Sequence, residues 1–119
     1  MTQSLYERLG GTDNITKIAH DIVDNHLNNP TIANRFKTAD VNALKKGAAT
    51  FFITGTGGPQ VYEGNDMLTT HKGMNIAANE FMAVLDDALD AMQKNDVGQR
   101  EQEEVLFILY SMRTEIVLV

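Results

Sequence analysis

Apolar residues in this chain recur at intervals of three and four. Ile15, Ile18, Ala19, Ile22, Val23 and His26 share one face of a helix. Val41, Leu44, Ala48 and Phe51, with Phe52 beside them, make a second face. Phe81, Val84, Leu85, Ala88 and Met92 make a third, and Val105, Ile108, Leu109, Met112 and Ile116 a fourth. Strand-like alternation is confined to a weak signal over Ile116–Val119. The pattern predicts an all-α fold.

The breaks between these stripes carry helix-stop chemistry. A short first helix over Ser4–Leu9 ends at Gly10-Gly11, and Thr12 or Asp13 can cap the next. Asn28-Asn29-Pro30 ends that helix, and a turn carrying Ile32 and Phe36 follows. Asp40 reads as the cap of the third stripe's predecessor, the helix of Val41 to Phe52, which stops between Gly55 and Pro59. Gly98 separates the last two helices. Two long N-terminal and two long C-terminal helices can pack as two antiparallel pairs around an apolar centre.

One segment is not needed for that packing. After Gly57-Gly58-Pro59 come Tyr62-Glu63-Gly64, Met67, and His71-Lys72-Gly73-Met74. This leaves His71 on a very short helix between two longer ones, where a ring nitrogen can point into a cleft. Local breaks of this kind often mark function. By pattern alone, such a histidine is far more often a surface or capping group than a metal ligand. Phenylalanines at helical spacing are ordinarily plain core.

Composition narrows the classes. The chain has 119 residues, enough for one domain, here residues 1–119, with one core. Sixteen acidic and ten basic residues give a net charge of −6, and no Lys/Arg stripe is visible, so a nucleic-acid partner is not expected. The pair Lys45-Lys46 reads as a solvated helix face. The absence of cysteine excludes disulfides, zinc-thiolate sites, iron–sulfur clusters and thiol catalysis. No apolar run of signal-peptide or membrane-span length occurs, and a soluble cytoplasmic protein without a membrane partner is expected. A phosphate-binding glycine loop and a Ser/His/Asp set are also missing.

Taken in order, these residues resemble the truncated haemoglobins, group I. Ser4-Leu5-Tyr6-Glu7-Arg8-Leu9-Gly10-Gly11 is similar to the family's opening. Phe36 matches its phenylalanine before the distal helix, Phe51-Phe52 its late aromatic pair, and Gly57-Gly58-Pro59 with Tyr62-Glu63-Gly64 its second glycine break. His71 falls on the proximal histidine, and Phe81 on the penultimate helix. The resemblance covers nearly the whole chain without insertions. It implies a globin-like two-over-two helical sandwich around haem b.

The resemblance further implies the site. His71 is the expected iron ligand, with its other N–H held by a backbone carbonyl or water. Phe36, Leu44, Ala48, Phe51, Phe52, Met67, Ile76, Phe81 and Val84 are expected against the haem. Lys72, Lys45 or Lys46 would pair with a propionate, and Tyr62 and Thr70 would hydrogen-bond near it. The distal pocket would be Ile22, Val23, His26, Leu44 and Ala48. Many group I members have a distal tyrosine where this chain has Val23. Glutamine positions fall on Leu44 and Ala48. None of the three donates a hydrogen bond. An apolar distal pocket is therefore expected, with O2 release faster by about one to two orders of magnitude.

His26 is expected as a half-buried histidine bonded to a loop carbonyl. The functional alternatives are a distal polar group or a sixth ligand, a role also open to Lys46. His20 is expected to be exposed. Small residues Gly47, Ala48 and Ala49 either leave gas channels or permit close helix packing. The implied activity is reversible binding of O2, CO and NO. NO dioxygenation with a partner reductase ranks second, and peroxidase-like activity lower, because no distal acid–base pair is evident. The competing class is a helical interaction module without haem. A monomer or weak dimer is expected.

Overall fold

The computed structural model describes residues 3–119. Six helices follow in order: α1 (Leu5–Arg8), α2 (Gly11–Leu27), α3 (Val41–Gly55), α4 (Met67–His71), α5 (Ala78–Lys94) and α6 (Gln99–Tyr110). Short 3-10 turns lie at Ala33–Phe36 and Arg113–Glu115. α2 packs on both α3 and α5, and α5 packs on α6. The arrangement is the two-over-two sandwich of helix pairs.

The helix starts follow local chemistry. The Ser4 hydroxyl accepts from the Glu7 N–H at 3.1 Å, while the Glu7 carboxylate accepts from the Ser4 N–H at 3.2 Å, a reciprocal capping box. Asp40 caps α3 by accepting from the N–H groups of Asn42 and Ala43 at 3.0 and 3.2 Å. The expected cap of α2 is corrected. Gly10, at φ 102°, stands at the N-cap with no side-chain bond, and Thr12 and Asp13 lie inside the helix. A left-handed glycine reverses the chain within one residue, so α2 begins at once. Thr12 instead meets the Tyr6 hydroxyl at 2.5 Å.

The core joins the predicted stripes. Ile15, Ile18 and Ile22 of α2 meet Ile53 of α3, Phe81, Leu85, Ala88 and Met92 of α5, and Val105 and Leu109 of α6. Two expectations shift. Val41 is exposed in the first turn of α3. The fourth stripe does not run on to Ile116 as a helix, because α6 ends at Tyr110. The Met112 N–H donates to the Leu109 carbonyl at 3.1 Å, tightening the chain out of the helix.

α1 is pinned across the pairs. The Tyr6 N–H donates to the Thr56 carbonyl at 2.9 Å, and Arg8 reaches Glu101 at 2.7 Å and also Glu104 on α6. Tyr6 packs closely against the loop after α3. A Cβ on Gly58 would fall 2.4 Å from the Tyr6 ring and 2.8 Å from the Ile53 carbonyl oxygen.

α4 is too short to be stable alone. The C-terminal tail holds the loop that follows it. The Gly73 N–H donates to the Val119 carbonyl at 3.0 Å, and the Leu118 N–H to the Ile76 carbonyl at 2.9 Å. The weak alternation over Ile116–Val119 is thus one parallel bridge, Ile76 to Val117, and not a strand. The same loop is held from the α2–α3 turn: Arg35 binds both Glu80 oxygens, at 2.7 and 2.8 Å, and donates to the Met74 carbonyl at 2.9 Å. Glu80 also accepts from the Ala77 N–H at 3.0 Å, at the start of α5.

Two predictions follow from these contacts. Gly58→Ala should destabilise the fold by about 1–3 kcal/mol, because backbone on one side cannot yield. Gly55→Ala, where nothing lies within 4 Å, should be neutral or stabilising by up to about 1 kcal/mol. Urea unfolding of both variants measures the contrast. Separately, the Arg35 guanidinium, and then the Ala77 N–H, hold the Glu80 carboxyl down from 4.5 to about 2. A lowered folded-state value stabilises above the unfolded one, so this contribution is present above pH 4.5 and is lost as pH falls towards 2. The stability gap between wild type and Glu80→Gln should therefore narrow across that window in acid-titrated thermal melts.

Candidate functional site: an apolar cavity between two histidines

α2, α3, α4 and α5 enclose a cavity of about 830 Å³. That lies in the range of roughly 300–1,000 Å³ usual for cofactor and ligand sites. Its walls are mostly apolar. α2 gives Ile22, Val23, His26 and Leu27; the turn after it gives Ile32, Arg35 and Phe36; α3 gives Leu44, Gly47, Ala48, Phe51 and Phe52. The α3–α4 loop and α4 give Val61, Tyr62, Met67, Thr70 and His71, and α5 gives Glu80, Phe81, Val84, Leu85 and Ala88. Ile76 closes one end, with Met74 and Met112 near it.

His71 is oriented by its own helix. Its Nδ1 lies 2.8 Å from the Met67 carbonyl oxygen, one turn back. A carbonyl only accepts, so Nδ1 carries the proton and Nε2 keeps its lone pair. An imidazole so fixed on the cavity wall is a ready metal ligand. Phe51 stands edge-on to Phe52 at 5.4 Å and to Tyr62 at 5.6 Å, which sets the aromatic wall of α3. The Tyr62 hydroxyl donates to the Asn65 carbonyl at 2.8 Å, while Thr54 accepts from the Tyr62 N–H at 3.1 Å. The loop is thereby folded back on α3.

Most of the sequence-predicted residues meet at this cavity; Lys45 and Lys72 do not line it. Lys45 is drawn to Asp24 of α2 at 2.9 Å, on the outer side of the α2–α3 contact. Lys72 lies just past the end of α4, exposed. Lys46, one residue on from Lys45, does line the cavity and makes no ion pair among the described residues. His20 is half-buried, not exposed, and lies away from the cavity wall.

His26 differs most from expectation. Its partner is no loop carbonyl: Nδ1 lies 2.6 Å from the carboxylate of Asp87 on α5. Asp87 is buried, and Asn29 donates to both its oxygens at 3.1 and 3.3 Å. Asn25 donates to the Asp87 backbone carbonyl at 3.0 Å. The His26 ring stacks on Phe36, centroids 5.8 Å apart and planes 10° from parallel. A histidine–carboxylate pair thus joins α2 to α5 beside the cavity, though none was evident along the chain. Sequence reasoning missed Asp87, Arg35 and Glu80. One signal was present: Asp87 sits four residues from both Ala83 and Ala91, all three buried, so it falls on a helix row that must face a neighbour.

The donor set suits a haem. A flat apolar disc with two carboxylates needs an apolar slot, aromatic faces, one imidazole nitrogen and cations at the rim. The cavity presents four phenylalanines, the Nε2 of His71, and Arg35 and Lys46.

The comparisons agree with the geometry. The model of the family described as "Bacterial-like globin" matches residues 4–117. The chain is 26% identical to "Group 1 truncated hemoglobin GlbN" of Mycolicibacterium paratuberculosis, over 95% of this chain and 83% of that protein. It is 25% identical to a group 1 truncated hemoglobin of Tetrahymena pyriformis, over 96% and 94% of the two chains. In structure it resembles the Fe(III) form of the Tetrahymena pyriformis truncated hemoglobin, with a TM-score of 0.94 at 24% identity, covering 98% of this chain and 100% of that one. It also resembles the 2/2 hemoglobin of Synechococcus, with a TM-score of 0.89 at 21% identity, covering 97% and 98%. These likenesses establish the fold. With the family model spanning nearly all of the sequence, the chain belongs to the bacterial-like globins, and is thereby a truncated haemoglobin, a haem-based gas-binding protein.

Proposed function

We propose that this globin binds O2, CO and NO reversibly at the iron of a haem b held by His71, beneath a distal wall without hydrogen-bond donors. The observation that carries the reading is the pairing of a locked imidazole with an apolar cavity. His71 has its Nδ1 proton on the Met67 carbonyl and its Nε2 free, and it shares the space with Val23, Leu44 and Ala48. Ferrous haem supplies an open iron position for a diatomic gas. Phe36, Phe51, Phe52 and Phe81 would bound the ring, and Lys46 would face its carboxylates, with Arg35 held by Glu80 beside it. The polypeptide's further contribution is to exclude water with aliphatic side chains.

NO dioxygenation with a reductase ranks second, since it requires long-lived bound O2 and nothing on the Val23–Leu44 wall donates to it. A haem-free helical module is the competing class. Absorption spectra of the ferric, reduced and reduced-plus-CO protein test the reading. A Soret band that moves on CO addition is expected, and His71→Ala should abolish the wild-type reduced spectrum while leaving a helical fold. No Soret band after haem reconstitution supports the module.

The distal wall generates a second expectation. Val23→Tyr places a phenol where none stands. A hydrogen bond to the charged bound O2 contributes roughly 1.5–3 kcal/mol. At about 1.4 kcal/mol per tenfold, stopped-flow O2 dissociation should slow by about one to two orders of magnitude. An unchanged rate would remove the apolar-wall argument.

A further inference from the structure

We infer that His26 is a second working imidazole of this cavity: a base, poised by Asp87, that takes the proton from a small weak acid entering on the α2 side. The inference rests on the haem reading above and adds a ligand class to it, molecules of the type HX such as hydrogen cyanide or hydrogen peroxide.

Two contacts fix the ring. Asp87 holds the Nδ1 edge at 2.6 Å, and Phe36 covers one face, 5.8 Å away and nearly parallel. An ionised carboxylate only accepts, so Nδ1 carries the hydrogen and Nε2 the lone pair. Nε2 makes no hydrogen bond in the protein, yet no buried side-chain nitrogen or oxygen among the described residues lacks a partner. Nε2 is therefore not sealed in packing. The residue lines the cavity, and we take Nε2 as its cavity-facing atom. α2 contributes three other lining residues, Ile22, Val23 and Leu27, all aliphatic. His26 is the one titratable side chain on that wall.

The surroundings suit a proton acceptor. Asp87 is buried, and Asn29 binds its carboxylate while Asn25 ties its backbone, so it stands ready to face a positive imidazole without rearrangement. The second carboxylate near the pair, Asp90, is engaged by Asn25 at 3.1 Å. A base oriented by a third group is the arrangement that general-base chemistry requires. With hydrogen cyanide, the H–C bond breaks and an Nε2–H bond forms. The electron pair stays on carbon as cyanide anion, and the new imidazolium is neutralised by Asp87. Carbon monoxide has no proton to give. A neutral Nδ1–H tautomer also offers no donor to a bound gas, so the apolar character of the wall towards O2 is kept.

The competing role for His26 is positional, as a brace behind Phe36. The experiment separates the two by comparing ligands with and without a proton. Association of cyanide with the ferric holoprotein and of CO with the reduced holoprotein is measured for wild type, His26→Gln and Asp87→Asn. The base role predicts that the cyanide-to-CO rate ratio falls roughly 100-fold in His26→Gln. In Asp87→Asn it falls by less, because an amide oxygen still accepts from Nδ1 but leaves the imidazolium unpaired. An unchanged ratio, or an equal fall in both rates, overturns it and leaves a brace. Long-range proton–nitrogen spectra of wild-type protein in the CO form provide a test that needs no variant. Nδ1–H with unprotonated Nε2 at His26 supports the assignment, and the opposite tautomer overturns it. A wild type with no Soret band would instead overturn the haem reading itself.

Discussion

The burial of α2 between α3 and α5 is the contact from which the rest of the molecule follows. Ile15, Ile18, Ala19, Ile22 and Val23 are all buried on one helix, and Ala19 is fully excluded from solvent. Ile15 and Ile18 of that face belong to one buried cluster with Ile53, Ala91 and Met92. Towards its C-terminal end the same face borders the cavity, where Ile22, Val23 and His26 line open space. One helix therefore serves as core at one end and as binding wall at the other. Packing at the first end holds the second in place, since close-packed interiors deform little.

The cavity's other walls are held by contacts at its rim. α4 has five residues, and the loop after it is fastened by the C-terminal tail through Gly73 and Ile76. The α3–α4 loop is folded back by Thr54 and Tyr62, and the turn bearing Phe36 is clasped to α5 by Arg35 and Glu80. Each tie is polar and lies at the rim, while the lining is aliphatic and aromatic. That division lets an apolar ligand be enclosed without burying unpaired polar groups. Whatever binds the folded cavity also stabilises the fold by mass action.

Two imidazoles on opposite sides of the space are set by the same device. His71 and His26 each have Nδ1 turned towards an oxygen that can only accept, a backbone carbonyl for one and a carboxylate for the other. In both, the tautomer follows, and Nε2 keeps its lone pair. The difference lies in the partner's charge. A carbonyl within α4 orients His71 with a neutral partner. A carboxylate from a different helix can balance a full positive charge on His26.

How much was legible along the chain follows from the range of each interaction. The four apolar stripes, the Ser4 and Asp40 caps, the helix stops and the position of His71 are local in sequence, and a 3.6-residue period or a cap can be read from a few neighbours. The order of glycines, aromatics and His71 carried the family resemblance for the same reason. The turn at Gly10 was misread because its left-handed φ lets α2 start sooner than a side-chain cap would. Lys45 and Lys72 do not line the cavity, because Lys45 is drawn to Asp24 of α2 and Lys72 stands past the end of α4. His26 with Asp87, Arg35 with Glu80, and Gly73 with Val119 join residues between 45 and 61 positions apart. The sequence by itself determined the helices and the candidate ligand. Only tertiary packing decided which charges meet across the helices, because no periodicity encodes the crossing of α2 with α5.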